Sequence, residues 1–102
     1  MSDKATSERL DVWLFRTRLI KSRSQAVHLI EKGKVRLTDH TTTRRITKPG
    51  YRLSIGDELT FMRGTTLFQL EVLSFPERRG PAAEARDSYR IIDMQTRTRD
   101  DS

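Results

Sequence analysis

Cysteine is absent from this 102-residue sequence, and with it any disulfide framework or thiolate metal site. A chain this small with no staples is expected in a reducing compartment, the cytoplasm, rather than in a secreted setting. Long apolar runs are missing too. The longest, Val12 to Phe15, is far too short to cross a bilayer, so no membrane partner is expected. The opening residues Met-Ser-Asp-Lys-Ala-Thr-Ser-Glu lack the apolar centre of a secretory signal. Histidine is scarce: His28 and His40 are the only two, and no Ser or Thr is placed to complete a triad with them. No metal-ligand spacing occurs either. An enzyme is therefore not expected, nor a cofactor or metal. Aromatic residues make up 7% of the chain, and no exposed pair on a predicted strand offers a stacking platform for single-stranded nucleic acid.

What is present is charge. The apolar fraction, 34%, is matched by a charged fraction of 33%, which leaves room for one domain with a modest core. The net charge of +6 is unevenly spread: residues 1–36 carry +5, residues 37–75 carry +1, and residues 76–102 carry none. A localised positive field suits a polyanion, because each neutralised phosphate releases condensed counterions. The competing reading of such a run is a solvated face that aids solubility.

Two helices are predicted in the basic third. Ser7 is placed to cap the first, from Glu8 to about Arg18–Ile20, with Leu10, Trp13 and Leu14 as its apolar stripe and Trp13 in the core. The second is marked by Ser22 and Gln25, a capping box in which each side chain satisfies a backbone N–H at the other residue. Ala26, Leu29 and Ile30 form its buried stripe, Gln25, His28 and Lys32 its polar side, and Gly33 its stop. Residues 34–38 alternate as a half-buried strand; residues 39–48 read as a long hairpin loop or an irregular strand. Pro49-Gly50 marks a turn, Tyr51, Leu53 and Ile55 alternate again, Gly56-Asp57 turns, and two strands follow over 58–63 and 67–75. Pro81 and the alanines after it predict a short helix reaching Tyr89. The predicted organisation is an unstructured 1–7, a folded 8–75, an extension 76–91 and an unstructured 92–102.

The inferred working surface combines Arg9, Arg16, Arg18, Lys21, Arg23, Lys32, Lys34 and Arg36. The turn before the second helix presents cations beside free helix N–H donors, a suitable setting for phosphate. Ser22, Ser24, Gln25 and His28 add neutral hydrogen-bonding groups for phosphate or the ribose 2′-hydroxyl. Ser22 and Gln25 are equally well read as capping residues alone.

The segment Arg9-Leu10-Asp11-x-x-Leu14, with Ser22-Arg23-Ser24-x-Ala26-x-x-Leu29-Ile30-x-x-Gly33-x-Val35, resembles the S4-type RNA-binding domain. Gly56-Asp57 matches the turn that closes that motif, and Arg78-Arg79-Gly80-Pro81-Ala82-Ala83-Glu84-Ala85 with Tyr89 resembles the tail of the heat shock protein 15 family. The resemblance implies an α+β, S4-like fold (the αL motif): two N-terminal helices packed on a small bent antiparallel sheet, with a short C-terminal helix. It implies RNA binding through Arg9, Lys21, Ser22, Arg23, Gln25, Lys32 and Lys34. Asp11 is expected to orient Arg9 or a nearby backbone group rather than touch an anion, since a carboxylate beside phosphate costs energy. The partners implied are rRNA or tRNA on the large ribosomal subunit, in stalled-subunit rescue or a heat-shock response. Independently of the resemblance, a monomer is expected, with DNA as a second, weaker ligand.

Two departures from the family stand out. Asp39-His40 replaces an Asn-Gly turn, with Arg44-Arg45 ending a threonine-rich loop, and no long basic C-terminal extension is seen. A general DNA-binding protein and a ribosome-biogenesis factor are the alternative readings. Against the first, only Gln25 and His28 on the second helix suit base edges.

Overall fold

In the computed structural model, which describes residues 7–40 and 42–96, Ser22 adopts the extended conformation of an N-cap, and its Oγ accepts the Gln25 amide hydrogen at 3.1 Å. That bond satisfies one of the donors a helix start leaves free. Helix α2 then runs Arg23–Glu31 and is closed by Gly33 at φ +74°, a left-handed conformation that glycine takes without steric cost. Ala26 and Ile30 are buried, and Leu29 packs at the core's edge.

The preceding helix differs from the prediction. Helix α1 is Leu10–Arg16, starting two residues late, and Ser7 does not cap it. Glu8–Arg9 instead form a short strand, β1, antiparallel to β4 (Arg52–Leu53). Backbone explains the change. The Leu10 amide donates to the Tyr51 carbonyl at 2.8 Å and the Asp11 amide to the Pro49 carbonyl at 3.1 Å, so the Pro49-Gly50 turn does the capping.

The main sheet has the order β3-β2-β5-β6-β7, antiparallel throughout. Its strands are β2 (Val35–Asp39), β3 (Thr42–Ile46), β5 (Glu58–Arg63), β6 (Thr66–Val72) and β7 (Tyr89–Thr96). Strand alternation sends Val35, Leu37, Leu59, Phe61, Phe68 and Leu70 to one face, where they meet Leu10, Trp13, Leu14, Ala26 and Ile30 of the helices. This is the α+β arrangement the sequence predicts. The segment 39–48 holds a regular strand rather than a loose loop, with β3 in register from Val35↔Ile46 to Asp39↔Thr42. Ile55, predicted to alternate with Leu53, is exposed, because only Arg52–Leu53 pair in that stretch.

The C-terminal part departs furthest. Helix α3 is only Ala82–Ala85, followed by a 3₁₀ turn, Arg86–Ser88. Residues 92–96, predicted to lack structure, belong to β7 and pair with β6 from Val72↔Tyr89 to Thr66↔Thr96, with an irregularity at Gln69/Leu70. Residues 1–6 and 97–102 of the predicted unstructured ends lie outside the described residues. The extension also closes the core. Trp13 is fully buried, its Nε1 donates to the Ser74 carbonyl at 2.9 Å, and its ring meets Tyr89 edge-on at 6.3 Å.

Candidate nucleic-acid interface

Asp11 sits in the first turn of α1, where an acid is favoured by the helix dipole, yet its side chain is only 1% exposed. It is satisfied from three directions. Arg9 donates from Nε at 3.0 Å and from its terminal nitrogen at 3.1 Å, the Val12 amide donates at 2.8 Å, and Arg23 Nε reaches the second carboxylate oxygen at 3.4 Å. The two arginines stay 43% and 53% exposed. One buried carboxylate thus holds two guanidiniums side by side, one from β1 and one from the first turn of α2, with donors left over on each. Asp11 orients Arg9, as the sequence reading has it, and orients Arg23 as well.

The electrostatics agree. Burial pushes the Asp11 carboxyl up, but the Arg9 hydrogen bonds and charge, the Val12 amide and Arg23 outweigh it, and the group titrates below its ordinary 3.8. The Arg9 guanidinium, hydrogen-bonded to that carboxylate and attracted by its charge, is pushed above its ordinary value. A carboxyl depressed in the folded state stabilises the fold above its unfolded value and loses that contribution as pH falls through the folded one. Asp11→Asn is therefore expected to cost about 1 kcal/mol or more at neutral pH. It should also flatten the fall in Tm between about pH 5 and pH 2. A Tm–pH curve running parallel to the wild type would remove the ion pairing as the cause.

The remaining predicted residues divide. Lys21, Gln25, His28, Lys32, Lys34 and Arg36 border three shallow grooves that run into one another. Gln25, Leu29 and Met62 are common to two of these, and Lys32, Lys34 and Met62 link to the third. The result is a trough with an apolar floor and a cationic rim, descending α2 and crossing onto the sheet. The Ser22 hydroxyl is engaged as the α2 cap, while Ser24 and Gln25 are exposed.

Arg16 and Arg18 are turned elsewhere. Arg16 bonds Glu8 at 3.3 Å and the Pro76 carbonyl at 3.0 Å, and Arg18 donates to the Gly80 carbonyl at 2.6 Å. Arg79 answers from the other side, donating to the Phe15 carbonyl at 3.2 Å with its guanidinium 4.8 Å from the Phe15 ring. These arginines fasten the C-terminal segment to α1: Arg16 spends one terminal nitrogen and Arg18 its Nε on that segment, and Arg18 stays exposed with donors left over. Arg44 is similarly held by Asp39 and by the Tyr51 hydroxyl at 2.8 Å. Sequence reasoning missed Met62 and left Arg45 unplaced; only the strand register brings them to the trough. Among the described residues no helix is long and apolar enough to cross a membrane.

Comparison with known proteins matches residues 8–37 to the S4 domain family model. The chain is 33% identical over 88 residues to the RQC P-site tRNA stabilizing factor of Listeria monocytogenes, covering 86% of this chain and 89% of that protein. It is 36% identical over 86 residues to heat shock protein 15 of Escherichia coli K12, covering 83% of this chain and 61% of that longer protein. Among solved structures, the trimeric heat shock protein 15 of Vibrio cholerae superposes with a TM-score of 0.72 at 30% identity, over 83% of this chain and 81% of that one.

Proposed function

The chain belongs to the S4-domain family that includes heat shock protein 15 and the RQC P-site tRNA stabilizing factor, and on that premise we propose that it binds structured RNA on the large ribosomal subunit. The observation that carries this reading is the pair of half-exposed guanidiniums that buried Asp11 holds together. Such a pair is already ordered before a ligand arrives, so binding a phosphate costs less side-chain entropy than it would for free arginines. Lys21, Ser24, Gln25, His28, Lys32 and Lys34 continue the surface down α2 with contacts to backbone and ribose. Recognition by shape and phosphate follows from the absence of exposed aromatic pairs on this surface among the described residues.

The relatives' names supply the setting. A factor that stabilizes a P-site tRNA acts where rRNA and tRNA meet, and we assign this chain the corresponding role of holding RNA in stalled large subunits in the cytoplasm. No catalytic step belongs to this reading. Binding of the full chain to a synthetic hairpin RNA, a DNA duplex of equal length and purified large subunits tests it across a series of salt concentrations. The expected order is large subunit, then hairpin RNA, then DNA, with log affinity falling linearly against log salt. Equal affinity for DNA and RNA, or no salt dependence, sinks the proposal.

A further inference from the structure

We propose that Arg36 and Arg45 form a second phosphate-binding site for RNA, on the face of the sheet opposite the helices. The proposal rests on the RNA reading above and adds a site on a different face of the molecule from the Asp11 cluster. Arg36 alternates with buried Val35 and Leu37, and Arg45 precedes buried Ile46, so both side chains point away from the core. They are direct cross-strand partners in the β2–β3 register. Facing side chains at such positions start roughly 5 Å apart at Cβ, where two like charges repel.

No hydrogen-bond acceptor or carboxylate among the described residues bonds either guanidinium to relieve that repulsion. Among the described residues every other arginine except Arg86 has a carboxylate, hydroxyl or carbonyl acceptor, whereas Arg36 and Arg45 have none. The neighbour of Arg36 on the other side is Thr60, which is neutral. The nearest acids of this face, Glu58 and Glu71, lie further along and opposite one another, and Arg90 takes Glu71 at 2.6 Å. The sheet's outer face is thus divided into a basic corner and an acidic band.

The corner is also built to hold its shape. The Arg45 stem lies across Gly33, where a Cβ would stand 2.8 Å from Arg45 Cδ, so the bare glycine is what lets the arginine lie there. Lys32 and Lys34 flank it, and Met62 and Leu67 floor the groove between them, about 510 Å³ in volume. That falls in the range of small-ligand sites, roughly 300–1,000 Å³. It suits a phosphodiester with its ribose against the apolar floor. A phosphate set between two guanidinium forks turns one repulsion into two charge-assisted contacts. The ligand class is the RNA backbone, gripped where the trough leaves the end of α2 and crosses onto the sheet.

Fluorescence anisotropy with a synthetic hairpin RNA, on full-length wild type, Arg45→Glu, Arg23→Glu and Arg86→Glu over a salt series, tests this. Arg45→Glu is expected to weaken binding by about tenfold or more and to lower the salt slope by about one to two. Its Tm should hold or rise, because a carboxylate facing Arg36 replaces repulsion by attraction. Arg86→Glu carries the same charge change on the other unpaired arginine and should weaken binding less than about threefold. If wild type binds and Arg23→Glu weakens it, but Arg45→Glu binds no worse than Arg86→Glu, the second site is wrong and the RNA reading stands. If wild type shows no salt-dependent RNA binding, both fall. Should Arg45→Glu fail to fold, Arg45→Gln carries the same expectation with a loss of about threefold to tenfold; wild-type affinity in that variant also overturns the site.

Discussion

Arg23→Glu is expected to lower affinity for structured RNA by roughly thirtyfold, about 2 kcal/mol, with little change in Tm. The binding loss has two sources. The substitution removes a guanidinium that is 53% exposed, and it sets a second carboxylate beside buried Asp11, repelling the phosphate the pair would share. The fold is affected less, because Arg23 gives Asp11 only one bond, at 3.4 Å, while Arg9 gives two shorter ones. The Arg23 bond is the longest of those Asp11 accepts and its guanidinium is half in water, so the Arg9 and Val12 bonds that remain keep the carboxylate satisfied. Arg23→Lys keeps the charge and loses the fork, so it should fall between the two. Wild-type RNA affinity in Arg23→Glu with an unchanged Tm would remove the Asp11 cluster from the interface.

Trp13→Ala is expected to cost about 3–5 kcal/mol, measured by urea unfolding, which is much of the roughly 5–15 kcal/mol that holds a small domain folded. The ring is fully buried between the helices and the sheet, and its removal takes away the bond to the Ser74 carbonyl and the edge contact with Tyr89. Trp13→Phe separates the two effects. It keeps most of the apolar volume, loses the hydrogen bond, and should cost about 1–2 kcal/mol. A near-wild-type midpoint in Trp13→Ala would contradict the packing described above.

The elements that were legible in the sequence are those whose signals are local. Ser22 and Gly33 bracket α2 because capping and left-handed φ depend on the residue itself and its nearest amides. Trp13 could be assigned to the core because Leu10, Trp13 and Leu14 repeat at helical spacing. Strand β3 was obscure for the opposite reason: as an edge strand it exposes Thr42, Thr43, Arg44 and Arg45 and buries only Ile46, so it shows no alternation. Strand β7 is also an edge, with Ile91, Ile92 and Met94 partly in solvent and charged residues among them. Its composition resembles a tail until β6 is beside it.

The site shows the same division. That Asp11 serves Arg9 follows from two residues of separation and the sign of their charges. The destinations of Arg16, Arg18 and Arg79 were not readable, because each donates to a backbone carbonyl about sixty residues away and every residue type offers the same carbonyl. Arg45 was visible as a cation but not as the partner of Arg36, since that depends on the hairpin register.

The fastening of residues 74–80 to α1 has a consequence for the order in which the protein is made. Trp13, Arg16 and Arg18 emerge early in synthesis, yet the atoms they need belong to Ser74, Pro76 and Gly80. The stretch 8–37 that carries the family pattern is therefore expected to complete its packing only once residues 74–80 are available. Contacts this distant in sequence carry a large loop-closure cost and slow the search for the native state. Folding is expected to be a single late, concerted event, and a nascent chain halted before residue 74 should leave α1 open to protease.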